Sequence, residues 1–77
     1  VVLVSSSGES QNIINAAKAA KEMGLDLVTF SGFNANNSLR KLGVMNFWVN
    51  SENYNVVEMT HHIWLLTMVE ALLEKEL

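Results

Sequence analysis

Val1-Val2-Leu3-Val4-Ser5-Ser6-Ser7-Gly8-Glu9-Ser10-Gln11-Asn12 opens the chain, and the fold turns on how these residues are read. Four apolar residues in a row fit a short strand covered on both faces, the pattern of a parallel sheet. A hydroxyl-rich loop follows. Then Ile13, Ile14, Ala16, Ala17, Ala20 and Met23 recur at helical spacing, with Asn15, Lys18, Lys21 and Glu22 elsewhere. Ser10 stands where an N-cap belongs, and Gly24 where a C′ glycine belongs. Leu25 to Phe30 reads as the next strand. Strand, helix and strand in this order make a βαβ unit, which predicts parallel pairing through a right-handed crossover.

Further along, Ser31 to Asn37 is rich in Gly and Asn and reads as loop. Ser38 is placed to cap a short helix, Leu39 to Leu42, stopped by Gly43. Val44 to Val49 is a third strand, and Asn50 to Asn53 a polar turn. A last helix runs from Tyr54 to Glu76, roughly 30–35 Å long. From Ile63 to Leu73 only Thr67 and Glu70 are polar, so burial on more than one side is expected. That apolar run is shorter than the ~20 residues of a bilayer span; packing on a neighbouring subunit is expected instead. Trp48, Met59, Trp64 and Met68 read as packing residues, and Lys18, Lys21, Arg40 and Lys41 as solvated surface. The expected fold is α/β: a three-layer αβα arrangement around a parallel sheet, flavodoxin-like. Residues 1–77 would supply about three of its strands.

Seventy-seven residues make one small domain at most, of a size that is thermodynamically marginal alone. With no cysteine, neither disulfides nor thiolate metal sites are available. The net charge of −3 and the lack of a Lys/Arg cluster argue against nucleic acid. The opening run has neither the basic flank nor the length of a signal peptide, and a cytoplasmic setting is expected.

The serine loop is the first chemical candidate. A helix's first N–H groups lack internal partners, its dipole puts partial positive charge there, and phosphate suits both. The loop has no lysine. It would rely on the Ser5, Ser7 and Ser10 hydroxyls and the N–H groups of Ser6 to Ser10. A solvated turn beside a capped helix explains the same residues equally well. No G-x-x-x-x-G-K-[ST] or G-x-G-x-x-G is present, so P-loop and dinucleotide readings fail. Gly8-Glu9-Ser10-Gln11-Asn12 also lacks the second glycine of a nucleophile elbow. The second candidate is Glu58 with His61 and His62. Residues three and four apart share a helix face, and Glu-x-x-His occurs in helix-borne metal sites and suits proton transfer. By themselves these residues read more simply as a polar stripe on a buried helix. Phe33 and Asn34 follow the second strand, on the side where ligands lie in open parallel sheets.

Ser5 to Asn12 fits S-x-S-G-x-S-x-N at every fixed position, and in this it resembles the phosphate loop of the sugar isomerase (SIS) domain family. The phosphoheptose (sedoheptulose 7-phosphate) isomerases are the most similar subgroup. The likeness continues through Met23-Gly24, Leu27 to Phe33 and Glu58-x-x-His61. It implies a phosphorylated sugar held by Ser5, Ser6, Ser7, Gly8, Ser10 and Asn12. It implies aldose–ketose isomerisation through an enediol, with Glu58 and His61 near the sugar and a base supplied by a preceding half of the domain. A homodimer or homotetramer is implied, with no nucleic acid and no membrane. Zinc is implied only as a ligand that some members bind; no cofactor is certain. Three positions depart from the isomerases. Leu66 stands where they carry a histidine, Asn55 where they carry an aspartate, and Glu58 where they carry a glutamine. Some relatives lack that histidine and act as binding or scaffolding proteins, so a non-catalytic phosphosugar sensor or oligomeric scaffold is the alternative expectation.

Overall fold

Three short strands, β1 (Val2–Val4), β2 (Val28–Ser31) and β3 (Met45–Trp48), form a parallel sheet in the order β1-β2-β3. This is a computed structural model, and it describes residues 1–76. Two helices accompany the sheet, α1 (Gln11–Glu22) and α2 (Tyr54–Glu76), with a single 3₁₀ turn at Leu39–Lys41. The protein is therefore a mixed α/β fold, with β1-α1-β2 as the expected unit. Val2 pairs with Val28 and Val28 with Met45, which fixes the register across all three strands.

Side chains alternate along a strand, so this register sorts the residues onto two faces. Leu3, Thr29 and Asn46 share one face. There, buried Ala17 of α1 meets Leu27 and Leu39, with Leu3, Ile13 and Leu42 packed around them. Small residues at Ala17 and Ala20 let α1 approach the sheet closely; both are buried, as is Ile14. Thr29 is fully buried on this face and donates its hydroxyl to Asn46 Oδ1 at 2.6 Å. Phe30 and Phe47 lie on the other face, stacked with ring centroids 4.9 Å apart. His61 and Trp64 of α2 reach Phe30 there, at 5.7 and 6.3 Å.

Helix α1 ends as expected. Gly24 takes φ 73°, its N–H donates to Lys21 O, and that of Leu25 donates to Ala20 O. This is a Schellman closure. The start of α1 differs from expectation: Ser10 occupies the N-cap position, but its hydroxyl makes no cap hydrogen bond. Ser38 makes none either, because its hydroxyl is used elsewhere. Helix α2 is capped by Asn53, whose Oδ1 accepts from the N–H groups of Asn55 and Val56. Arg40 is not a solvated surface residue. Its guanidinium lies 4.4 Å over the Trp48 ring and donates to Ala35 O, a cation–π placement.

The expectation that β1 is covered on both faces also fails: Val2 and Val4 are exposed. The last helix is similarly bare. Among the residues of α2 whose burial is described, only Val57 and His61 are buried, whereas Met59, Ile63, Leu66, Val69, Leu72 and Leu73 are all exposed. From Tyr54 to Lys75, α2 is long and apolar enough to cross a membrane by length and composition. The sequence reading gave the helix these bounds but compared only its Ile63 to Leu73 run with a bilayer span, leaving out the less apolar turns before it. A core helix of a soluble protein meets the same criterion.

Candidate functional site

The carboxyl ends of β1 and β2, the start of α1 and the start of α2 come together at one edge of the sheet. Ser5 continues β1, donating its N–H to Phe30 O, so the loop is anchored where the strand ends. Ser5 then shapes the turn itself. Its carbonyl and its hydroxyl oxygen both accept from the Gly8 N–H, at 3.1 Å each. The Ser7 hydroxyl oxygen accepts from the Glu9 N–H at 3.2 Å. The N–H groups of Gly8 and Glu9 are therefore occupied within the loop, which corrects the expectation that every N–H from Ser6 to Ser10 is available. Those of Ser6, Ser7 and Ser10 donate to no acceptor among the described residues. Ser5 and Ser7 use oxygen lone pairs in these turns and keep their O–H groups to donate. Ser5 is buried, Ser6, Ser7 and Ser10 are half-buried, and Asn12 is exposed on the first turn of α1.

A second segment locks the loop in place. Gly8 adopts φ 70°, a region that favours glycine, and a Cβ there would lie 1.9 Å from Asn37 Oδ1. Asn37 is buried. Its amide nitrogen donates to Ser31 Oγ, Gly32 O and Asn34 O, and its Oδ1 accepts from the Arg40 N–H. Leu39 N–H donates to Gly8 O. Glu9 completes the junction: its carboxylate accepts from the Ser38 N–H at 2.5 Å and from the Ser38 hydroxyl at 3.0 Å. The sequence reading gave Asn37 no role and Ser38 only that of a helix cap, since a run of Asn and Ser in a loop carries no mark of which one is buried.

Those bonds hold the Glu9 carboxyl below its ordinary value of 4.5, the Ser38 N–H contributing most, then its hydroxyl, with Lys41 adding attraction. A carboxylate whose folded value is depressed contributes stability above its unfolded value and loses it as pH falls through the folded one. We therefore predict an acid-side loss of stability below pH 4.5 that is shallower in Glu9→Gln, read from thermal melts across pH. Identical acid limbs for the two proteins would rule out this role for Glu9.

The second candidate group is divided by the structure. His61 is buried, 2 % exposed, with Nε2 2.8 Å from Ser31 O. A carbonyl only accepts, so Nε2 carries the hydrogen, and the buried Nδ1 has no partner among the described residues. Glu58 and His62 are exposed. The shared face expected for Glu58 and both histidines is thus split, because α2 turns His61 toward the sheet and the other two away. Among the described residues no three His, Asp or Glu side chains gather to hold a metal ion. Their arrangement among the described residues does not fit a zinc site. Leu66 is exposed.

Two depressions lie away from this edge. One, about 340 Å³, is lined by Lys21, Gly24, Lys41 and Gly43 beside the C-terminus of α1. The other, about 370 Å³ and largely apolar, lies between Met45 and the Met68–Lys75 part of α2. Neither includes a serine of the loop. No family model and no curated protein matches the chain.

Proposed function

We propose that this protein binds a phosphorylated sugar, with the phosphate held by the serine loop. The observation that carries this reading is the loop's donor set. The Ser6, Ser7 and Ser10 N–H groups and the Ser5 and Ser7 hydroxyls remain free to donate at the start of α1, in a frame braced by Asn37 and Glu9. Phosphate oxygens accept such donors, and the helix dipole adds attraction. Asn12, in the first turn of α1, is assigned to the same ligand.

The reaction we assign is the interconversion of a ketose phosphate and its aldose phosphate, of the phosphoheptose isomerase type. Glu58 and His61 are its candidate proton-transfer groups. A phosphate anchor suits this chemistry, because binding energy from a non-reacting group positions the reacting carbons. The second reading is a phosphosugar sensor or scaffold without turnover. It draws on Leu66, which cannot exchange a proton, and on the burial of His61 with its Nε2 engaged. Incubation of the full-length protein with sedoheptulose 7-phosphate, with and without zinc, separates them. Aldose phosphate appearing by NMR sinks the sensor reading, and binding without turnover sinks an isomerase of this sugar phosphate. In either case Ser7→Ala is expected to weaken binding by roughly tenfold or more, as loss of a hydrogen bond to a charged group does. Unchanged affinity in a folded Ser7→Ala variant would remove the phosphate assignment.

The finer architecture we assign is three-layered, with helices on both sides of a sheet larger than the three strands described. We assign the apolar faces of Val2, Val4, Met45 and α2 to contact with a second copy in a cytoplasmic homodimer or homotetramer, with no nucleic acid and no membrane. Their exposure supports this, since apolar patches of this breadth mark interaction surfaces. Light scattering at micromolar concentration should report a dimer or tetramer; a monomer would remove the assignment.

A further inference from the structure

Phe33 has a φ of 60°, the positive-φ non-glycine residue of the chain among those described. A bulky side chain rarely adopts that conformation. The backbone is held there by the Phe33 N–H, which donates to Ser51 O at 2.9 Å. The ring meets Tyr54 edge-on, with centroids 4.7 Å apart and planes at 72°. Tyr54 is 59 % exposed and Phe33 half-buried, so this pair lies outside the core.

Its position relative to the serine loop is set by the preceding residue. Gly32 is pressed between the loop and α2: a Cβ there would lie 3.1 Å from Ser6 O and 2.7 Å from a Val57 methyl. Val57 is one helical turn beyond Tyr54. Phe33 directly follows Gly32, and Tyr54 precedes Val57 by one turn, so both are carried on the segments that meet Ser6 at the carboxyl edge of the sheet, where ligands lie in open parallel sheets. Backbone held in a sparsely populated region is typical of ligand clamps. Placing an aromatic ring beside a hydroxyl-rich anion loop suits a ligand with one charged end and one ring-shaped end.

We propose that Phe33 and Tyr54 form an aromatic wall that receives the carbon–hydrogen face of the sugar whose phosphate sits in the serine loop. The proposal rests on the phosphosugar reading and assigns specificity within it. Aromatic faces are electron-rich, and the C–H groups of a sugar present the complementary partial charge, while its hydroxyls remain free for polar partners.

Calorimetric titration of the full-length protein with inorganic phosphate and with sedoheptulose 7-phosphate tests this. Phe33→Gly and Tyr54→Ala are expected to weaken the sugar phosphate by roughly 2- to 12-fold, the range for an aromatic contact. Affinity for inorganic phosphate should stay within about twofold, because neither change touches the donors that hold phosphate. Phe33→Gly should also keep or raise the melting temperature, since glycine tolerates the positive φ, whereas Tyr54→Phe should bind as the parent does. Equal weakening of both ligands, or of neither, overturns the wall while leaving the phosphosugar reading in place. If the parent protein binds neither ligand, or Ser7→Ala binds both as tightly, the phosphosugar reading falls and the wall with it.

Discussion

Gly8→Ala is expected to destabilise the protein by about 2–6 kcal/mol and to abolish phosphate binding. Two costs coincide at this position. The backbone has φ 70°, so any side chain is strained. The new Cβ would also fall 1.9 Å from Asn37 Oδ1 and 2.3 Å from its Cγ. Asn37 cannot yield, because its amide is bonded to Ser31, Gly32, Asn34 and Arg40 inside the fold. Moving it would leave several buried polar groups unpaired, each costing about 1–3 kcal/mol. The Gly8→Ala/Asn37→Ala pair adds a test of mechanism. Removing the amide takes away the two nearest atoms but leaves Asn37 Cβ, 2.9 Å from the new methyl. The double variant should therefore be less destabilised than the sum of the singles, a coupling that urea melts of all four proteins can read. Additive losses, or a Gly8→Ala protein as stable as its parent, would show that the loop is not braced in this way.

Phe30→Ala is expected to cost roughly 3–5 kcal/mol, the range for truncating a fully buried phenylalanine. In a domain this small that is comparable to the whole stability a single core rarely exceeds, about 3–5 kcal/mol, so little stability should remain in the variant. Phe30 is completely buried at the centre of β2. It stacks on Phe47 of β3 and meets both His61 and Trp64 of α2. Apart from these rings, α2 is held mainly by Val57 against Gly32 and by His61 on Ser31 O. Losing Phe30 should release α2 before the β1-α1-β2 unit, whose core of Ala17, Leu27 and Leu39 lies on the other face. Hydrogen exchange would then show α2 amides unprotected while α1 amides are retained. A loss below about 1.5 kcal/mol, the scale of a partly buried contact, would mean that α2 is anchored elsewhere.

The elements were legible because each is marked by local chemistry. Val1 to Val4 has no polar residue to seat in a helix, the Ile and Ala positions of α1 recur at helical spacing, and Gly24 supplies the positive φ that ends the helix. Boundaries moved where tertiary pairing decided them. β2 begins at Val28, not Leu25, because Leu25 N–H is drawn into the closure of α1. The serine loop was legible as a donor-rich turn. Its internal bonding was not, since composition cannot tell which N–H groups a turn uses for itself.

A parallel α/β unit, a long apolar last helix and a hydroxyl-rich turn between strand and helix are all written in local residue order, because they follow from side-chain periodicity and backbone preference within a few residues. Only the tertiary structure decided that Asn37 would be the buried brace, that Glu9 would fasten to Ser38 across 29 residues, and that His61 would face the sheet while Glu58 and His62 face away. Each of these depends on which distant segments share the carboxyl edge of the sheet. Burial and hydrogen-bond partnership there are properties of the assembled neighbourhood, to which a residue's own identity contributes only part.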